Sequence, residues 1–420
     1  MSIIYSAVIR LYAFAVRIAA IFSEKAALML KGRKSLFAAL ELSLKQKQNP
    51  HVKKPLAWFH CASLGEFEQG RPLIETFRKH YPDYLILLTF QSPSGYEVRK
   101  SYAGADLIYY LPFDTPANAG HFLNLVQPDI VFFIKYEFWF NYLHKIQKKQ
   151  IPLFLVSGIF RADQHFFKWY GGWARKILKG FDMLFVQNEF SKEVLEFVGV
   201  DNVIVCGDTR FDRVLELRHD TTAFPEIEKF LTGKKTLVAG STWEEDEEIV
   251  LKYFLEHNVI QKLIIAPHEI HASHIDLLLE KCMNKACLYS ELKKNGGNPE
   301  ADILIIDTIG ILNKIYRFAT IAYVGGGFGK GIHNILEPAS YNIPVVFGPR
   351  YHKFAEAVDL IKRGGAFSFN TSSDFSLVIE KLFAEDIYAK SSAANKDYIN
   401  EKTGATIEIM KYLEQNLFNQ

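Results

Sequence analysis

Between Pro55 and about residue 365 the chain repeats one pattern: a short apolar run, a stretch of helical periodicity, then another apolar run. Runs without polar alternation belong to strands buried on both faces, and strands that alternate with helices form parallel sheets. The runs at 56–60, 84–90, 107–110, 130–134, 153–156, 183–186 and 203–205 read as strands, with helical segments near 66–80, 94–102, 116–126, 137–149, 163–179 and 190–198 between them. A polar, turn-prone stretch from about 212 to 234 interrupts the rhythm. The pattern then restarts with runs at 236–239, 263–266, 303–306, 321–324 and 345–347, and helical segments near 243–256, 270–281, 309–318, 335–341 and 353–362. At 420 residues the chain exceeds what one hydrophobic core serves, so each series is its own domain. The prediction is an α/β protein with two Rossmann-like domains, 55–211 and 235–385, facing each other across a cleft. A terminal helix over 386–420 is expected to pack back on the first.

Residues 1–54 stand apart. They hold ten Lys or Arg against Glu24 and Glu41, a net +8, which leaves −6 for the remainder of a chain whose total is +2. From Ile3 to Phe22 the chain is apolar apart from Ser6, Arg10, Arg17 and a few tyrosines. Two arginines inside the run disfavour a spanning helix, which needs about 20 apolar residues. Being seven apart, they share one helical face and can reach headgroups while Ile3, Ile4, Tyr5, Leu11, Phe14, Ile18 and Phe22 enter the acyl region. The expectation is a membrane-associated helix lying on an anionic leaflet; a basic head this apolar fits lipid better than nucleic acid. The cysteines Cys61, Cys206, Cys282 and Cys287 form no Cys-x-x-Cys pair, which speaks against a zinc knuckle or a secreted disulfide framework.

In open parallel sheets ligands bind beyond the carboxyl ends of the strands, so the residues after each run carry the chemistry. After the first run come His60-Cys61-Ala62-Ser63-Leu64-Gly65-Glu66, and Glu66 reads either as a helix-capping acid or as a general base. After 321–324 come Gly325-Gly326-Gly327-Phe328-Gly329-Lys330-Gly331 and then Ile332-His333-Asn334-Ile335-Leu336-Glu337-Pro338-Ala339. Glycines there let backbone approach a phosphate, and Glu337 is placed to accept ribose hydroxyls. Neither a dinucleotide fingerprint nor a Walker loop is present. Ser241 and Thr242 follow the first run of the second series, and His268 follows Pro267 after the next; both turns read as phosphate or base contacts or as structural residues. The acids 244–248 read as a solvated first helical turn, and the lack of Asp-x-Asp points to chemistry without a metal or cofactor.

The blocks HCASLGE (60–66), KYEFWFN (135–141), GSTW (240–243), APHE (266–269) and GGGFGKGIHNILEPA (325–339) resemble the transferases of 3-deoxy-D-manno-octulosonic acid (Kdo) in lipopolysaccharide biosynthesis. The resemblance implies a GT-B glycosyltransferase fold, CMP-Kdo as donor and a lipid A precursor such as lipid IVA as acceptor. It also implies an inverting reaction at the cytoplasmic face of the inner membrane. Glu66 falls on the family's catalytic base. Pro267, His268, Ile309, Gly310, Ile311, Asn334, Ile335, Leu336 and Glu337 fall on its CMP contacts, with His268 where an Arg is usual and Ile311 where an acid is frequent. Two other readings are a transferase or epimerase using a UDP-sugar and an inert nucleotide-sugar binder, and the pairing of Glu66 with the glycine loop disfavours the second.

Overall fold

The computed structural model describes residues 2–48, 53–298 and 300–418. It forms two compact units, one of Met1–Arg213 with Thr403–Gln420 and one of Val214–Lys402. Each is built on a seven-stranded parallel sheet.

In the first unit the strands are β1 (Leu56–Cys61), β2 (Leu85–Phe90), β3 (Leu107–Tyr110), β4 (Ile130–Ile134), β5 (Leu153–Gly158), β6 (Met183–Val186) and β7 (Val203–Val205). Their order is β3-β2-β1-β4-β5-β6-β7. The strand sequence therefore reverses direction between β1 and β4, and it is at such a switch point that a crevice opens at the carboxyl edge. Every residue of β1, β2, β4 and β5 is buried, because helices cover both faces. On one face Trp58 packs with Phe122, Phe133 and Tyr142; on the other Phe59 and Phe132 pack with Phe77.

The second unit holds β8 (Thr236–Thr242), β9 (Lys262–Pro267), β10 (Ala286–Leu288), β11 (Ile303–Ile305), β12 (Ile321–Val324), β13 (Val345–Phe347) and β14 (Ala366–Ser368). Their order is β10-β11-β9-β8-β12-β13-β14, with the switch between β8 and β12. The edge strands β10 and β14 are absent from the sequence reading: Ala-Cys-Leu and Ala-Phe-Ser contain no β-branched residue, unlike the equally short edge strand β7, which is Val-Ile-Val.

Other expectations need correcting. The stretch 212–234 is no turn-rich linker: it carries the helices Thr209–Arg218 and Pro225–Leu231, whose Val214, Leu217, Ile227 and Leu231 are buried. The helical segment expected over 163–179 is a single turn, His165–Phe167, and a helix, Gly172–Leu178. The terminal helix is two helices, Glu385–Lys402 in the second unit and Ala405–Leu413 in the first, broken at Gly404, whose φ of +115° suits glycine. Asp212 accepts from the Gly404 and Thr406 amides and the Thr406 hydroxyl, and Ile409, Met410 and Leu413 complete the core beneath Phe59 and Phe132.

The basic head forms α1 (Ser2–Ala19), α2 (Glu24–Lys31) and α3 (Leu36–Lys47). No single described helix is long and apolar enough to cross a membrane; α1 and α2 pass that test only as a pair bent by 119°. Ile3, Ile4, Leu11, Phe14, Ile18 and Phe22 are exposed along one side of the head. Tyr5, placed with them in the sequence reading, turns the other way. Its hydroxyl donates to Asp114 (2.8 Å), while Ser6 bonds Asn141 and Ile9 is buried. Asp114 also accepts from the Asn141 and Tyr142 amides at 3.0 Å, so one buried carboxylate ties α1 to the helix Phe140–Lys148.

Candidate active site

At the carboxyl edge of the first sheet, Glu66 lies in the first turn of the helix Leu64–His80. Ser63 occupies the N-cap position but makes no side-chain cap; its hydroxyl donates to the Glu66 carboxylate instead. That carboxylate is half-buried at the switch-point edge, where an acid oriented by one hydroxyl can accept a proton. Burial pushes the Cys61 thiol well up, with the charges of Glu66 and Glu137 adding to the effect, so both acids converge on the end of β1.

Glu137 comes from the loop after β4, across the switch point from β1. This loop begins at Lys135, which adopts a φ of 70° that non-glycine residues rarely take and that clusters at functional sites. Beside it Trp139 Nε1 donates to His60 Nε2 (3.1 Å), and His60 Nδ1 meets Thr89 Oγ1 at 2.9 Å. With Nε2 accepting, the proton of a neutral His60 sits on Nδ1, and the ring is held from both ends inside the sheet. Glu137 stands 3.7 Å from the same Nε2. The sequence reading did not single out Glu137 or His60; the signal available was a strand ending in a histidine and a following acid-aromatic block.

In the second unit a pocket of about 390 Å³ opens beyond β8, β9 and β11. Pro267, His268, Ile309 and Gly310 line it, together with Ser241 and Thr308. Ile309 is 87% exposed and Gly310, at φ +92°, has open space where a Cβ would be. Ile311 caps the short helix Leu312–Ile315 and is not part of the lining. Ser241, like Lys135, takes an uncommon positive φ (54°) at a strand end.

The remaining candidates lie beyond β12. Ile335 and Leu336 have buried side chains, so only their backbone is available. Asn334 and Glu337 present polar groups and bond each other at 3.1 Å. Burial raises the Tyr316 phenol, and the charge of Glu337 adds to it; that phenol lies where a Cβ on Gly240 would collide, so Glu337 sits close to the end of β8. An aromatic stack joins the pocket to this block: Trp243 packs on His268 (4.7 Å), His268 on His333 (4.4 Å), and Trp243 Nε1 donates to His333 Nε2 at 3.3 Å. Burial, and then the proximity of His268, lowers the His333 pKa below its ordinary value, which keeps this acceptor neutral near pH 7.

The glycine loop is held from below. A Cβ on Gly325 would strike the Ser241 and Thr242 backbone, and one on Gly327 the backbone of Gly348, so these glycines serve first to let the chain pass close to itself. The acids 244–248 are not a solvated turn throughout. Asp246 and Glu247 are buried, because Asp246 accepts from the Trp243 and Gly326 amides (2.9 Å each) and the Tyr323 hydroxyl, while Glu247 accepts from Thr242 and pairs with His274. Among the described residues no group of three or more His, Cys, Asp or Glu is arranged to hold a metal ion.

Comparison with known proteins bears on this geometry. The family model for 3-deoxy-D-manno-octulosonic-acid transferase (kdotransferase) matches residues 35–213. A 3-deoxy-D-manno-octulosonic acid transferase of Aquifex aeolicus is 29% identical over 335 residues, which cover 77% of this chain and 84% of the relative. One from Chlamydia trachomatis serovar A is 27% identical over 386 residues, covering 87% and 88%. Among solved structures, UDP-GlcNAc 2-epimerase from Neisseria meningitidis bound to UDP-GlcNAc superposes with a TM-score of 0.61 at 16% identity, covering 86% of this chain and 99% of that one. MurG of Acinetobacter baumannii superposes at 0.54 with 11% identity, covering 86% and 99%. Identities this low show a shared fold alone, and that fold is the two-domain GT-B type.

Proposed function

We propose that this chain, which belongs to the Kdo transferase family, transfers Kdo from CMP-Kdo to a lipid A precursor with inversion at the anomeric carbon, Glu66 being the general base. The observation that carries the reading is the Glu66 carboxylate at the switch-point edge of the first sheet, oriented by the Ser63 hydroxyl, which donates to it instead of capping the helix. A carboxylate there takes the proton from the acceptor hydroxyl as the new bond forms, while CMP leaves with its single phosphate. The second unit holds the donor. Glu337 accepts the ribose hydroxyls, Pro267, His268, Ile309 and Gly310 border the nucleotide, and backbone N–H groups with Lys330 balance the phosphate and the sugar carboxylate. Such preorganised donors stabilise developing charge without a metal.

Membrane contact follows from the exposed apolar side of the head. Ile3, Leu11, Phe14, Ile18 and Phe22 enter the cytoplasmic leaflet of the inner membrane, and the basic residues meet its headgroups. This brings the enzyme to an acceptor that lives in that leaflet. Replacing Leu11, Phe14 and Ile18 by Ser, at positions that carry no core packing, is expected to weaken vesicle binding about a hundredfold or more. Undiminished flotation would refute the membrane reading.

The deciding experiment for the reaction is incubation with CMP-Kdo and a tetraacylated lipid A precursor, with and without EDTA, read by mass spectrometry. A Kdo-sized mass gain that survives the chelator is expected. No gain, together with thermal protection by UDP rather than CMP, would instead favour a UDP-sugar enzyme on the same fold.

A further inference from the structure

The volume of about 570 Å³ between α1, the α2–α3 turn and the loop after β3 is larger than the pocket of about 390 Å³ beyond β8, β9 and β11, and none of the residues proposed for the reaction lines it. Its walls carry four cations, Arg17, Lys31, Arg33 and Lys34, and no carboxylate; the rest is apolar, notably Leu30, Phe37 and Phe113, apart from Asn118.

Arg33 defines its floor. Its guanidinium donates to the Leu111, Met29 and Gln91 carbonyls and to the Gln91 side chain, all neutral acceptors, and stacks over Tyr110 and Phe113 at 4.8 and 4.7 Å. Burial lowers its pKa from 12.5 to about 10, and only tyrosines act against that shift. Four of its five N–H groups are thus committed to fixing its position, and among the described residues no acid pairs with its charge. A half-buried guanidinium with three further cations converging on one cavity is a charge arrangement that an anion completes. The cavity adjoins the exposed apolar side of α1, with Val16, Ala26 and Met29 forming the small core that holds α1 and α2 against Phe113.

We propose that this cavity seats the phosphate headgroup of an anionic membrane phospholipid, with the acyl chains running along the apolar side of α1. The assignment rests on the membrane reading above and adds to it a defined site. Lys31 and Lys34 hold the phosphate at the rim, Arg17 closes the side toward the bilayer, and Arg33 supplies fixed charge beneath. Because α1 is tied through Tyr5 and Asp114 to the helix Phe140–Lys148, a lipid seated there would set the depth and orientation at which the first unit meets the leaflet.

The test compares two charge-matched variants by flotation with phosphatidylcholine vesicles, with or without phosphatidylglycerol. Lys31→Gln with Lys34→Gln removes cavity cations; Arg10→Gln with Lys25→Gln removes exposed cations of the same head that do not line the cavity. Both pairs lose the diffuse attraction common to any cation near an anionic surface; the cavity pair is expected to lose about tenfold or more beyond the other pair for the anionic vesicles, and neither pair loses affinity for neutral ones. Equal losses would mean diffuse attraction and would overturn the site while leaving membrane binding intact. A parent protein that binds no vesicle would instead overturn the membrane reading itself. Release from anionic vesicles by millimolar inorganic phosphate, at matched ionic strength, would assign the cavity to free phosphate. A raised KM of the cavity variant for detergent-dispersed acceptor would assign it to the acceptor's own phosphates; unchanged kinetics there support the phospholipid.

Discussion

In the reaction proposed for this chain two carboxylates have separate tasks, Glu66 as base and Glu337 on the ribose, and a substitution at each distinguishes that task from a structural role. Glu66→Gln keeps the shape and the bond from Ser63 but removes basicity, so kcat should fall about 10²–10⁴-fold while CMP affinity and melting temperature hold. A capping residue would show the opposite, near-normal turnover with a loss of about 0.5–2 kcal/mol in stability; transfer within a few-fold of the parent rate would make Glu66 structural. Glu337→Ala should weaken CMP binding by about 1.5–3 kcal/mol, the scale of a charge-assisted hydrogen bond, and calorimetry showing unchanged affinity in a folded variant would remove it from the site. Both acids can be picked out in the sequence as candidates, Glu66 in the turn that follows β1 and Glu337 behind the glycine loop that follows β12. His60, Glu137, Asp246 and Glu247 cannot, because their roles depend on partners far along the chain: Trp139 and Thr89 for His60, the amide of Gly326 for Asp246, His274 for Glu247. Spacing shows that a carboxylate begins a helix; only the fold shows whether a loop folds over it.

At the scale of elements, the central strands are readable because burial on both faces leaves unbroken apolar runs, as in β1, β2 and β4, whereas the three residues of β10 and β14 include no β-branched side chain to mark them as the Val-Ile-Val of β7 is marked. The orientation of α1 was only half readable: periodicity gives a face, but Tyr5 follows a tertiary hydrogen bond instead. That bond makes a pH prediction. Burial pushes the Asp114 pKa up from 3.8 to about 6, with the bonds from Asn141, Tyr5 and Tyr142 opposing only in part. A carboxyl whose pKa is raised on folding contributes stability that is fully present below its unfolded value and is lost as pH rises through its folded value. The first unit should therefore gain stability as pH falls from 7.5 toward 4, by up to about 1.4 kcal/mol per pH unit between 6 and 4, and Asp114→Asn should remove that component. Urea titrations of both proteins across this range decide it, since a parent-minus-variant difference that is flat with pH would mean that Asp114 does not titrate there.

For the whole molecule, the chain order and the domain order disagree, and this has a measurable consequence. The polypeptide leaves the first unit after Arg213, builds the second, and returns at Thr403 to finish the first. The returning helix Ala405–Leu413 buries Ile409, Met410 and Leu413 in the core beneath β1 and β4, and three such side chains are together worth about 5–9 kcal/mol as an upper bound. Whole domains are stable by only about 5–15 kcal/mol, so this helix holds a large share of the first unit's stability. The Asp212 carboxylate adds three hydrogen bonds to it from Gly404 and Thr406. Deleting residues 403–420 should accordingly unfold or strongly destabilise the first unit while the second, whose cores draw nothing from that segment, keeps its melting transition and its affinity for CMP. Calorimetry resolves the two transitions. If both survive the deletion with their midpoints unchanged, the returning helix is an accessory and the first unit's core is complete without it; if both are lost, the two units fold as one cooperative body.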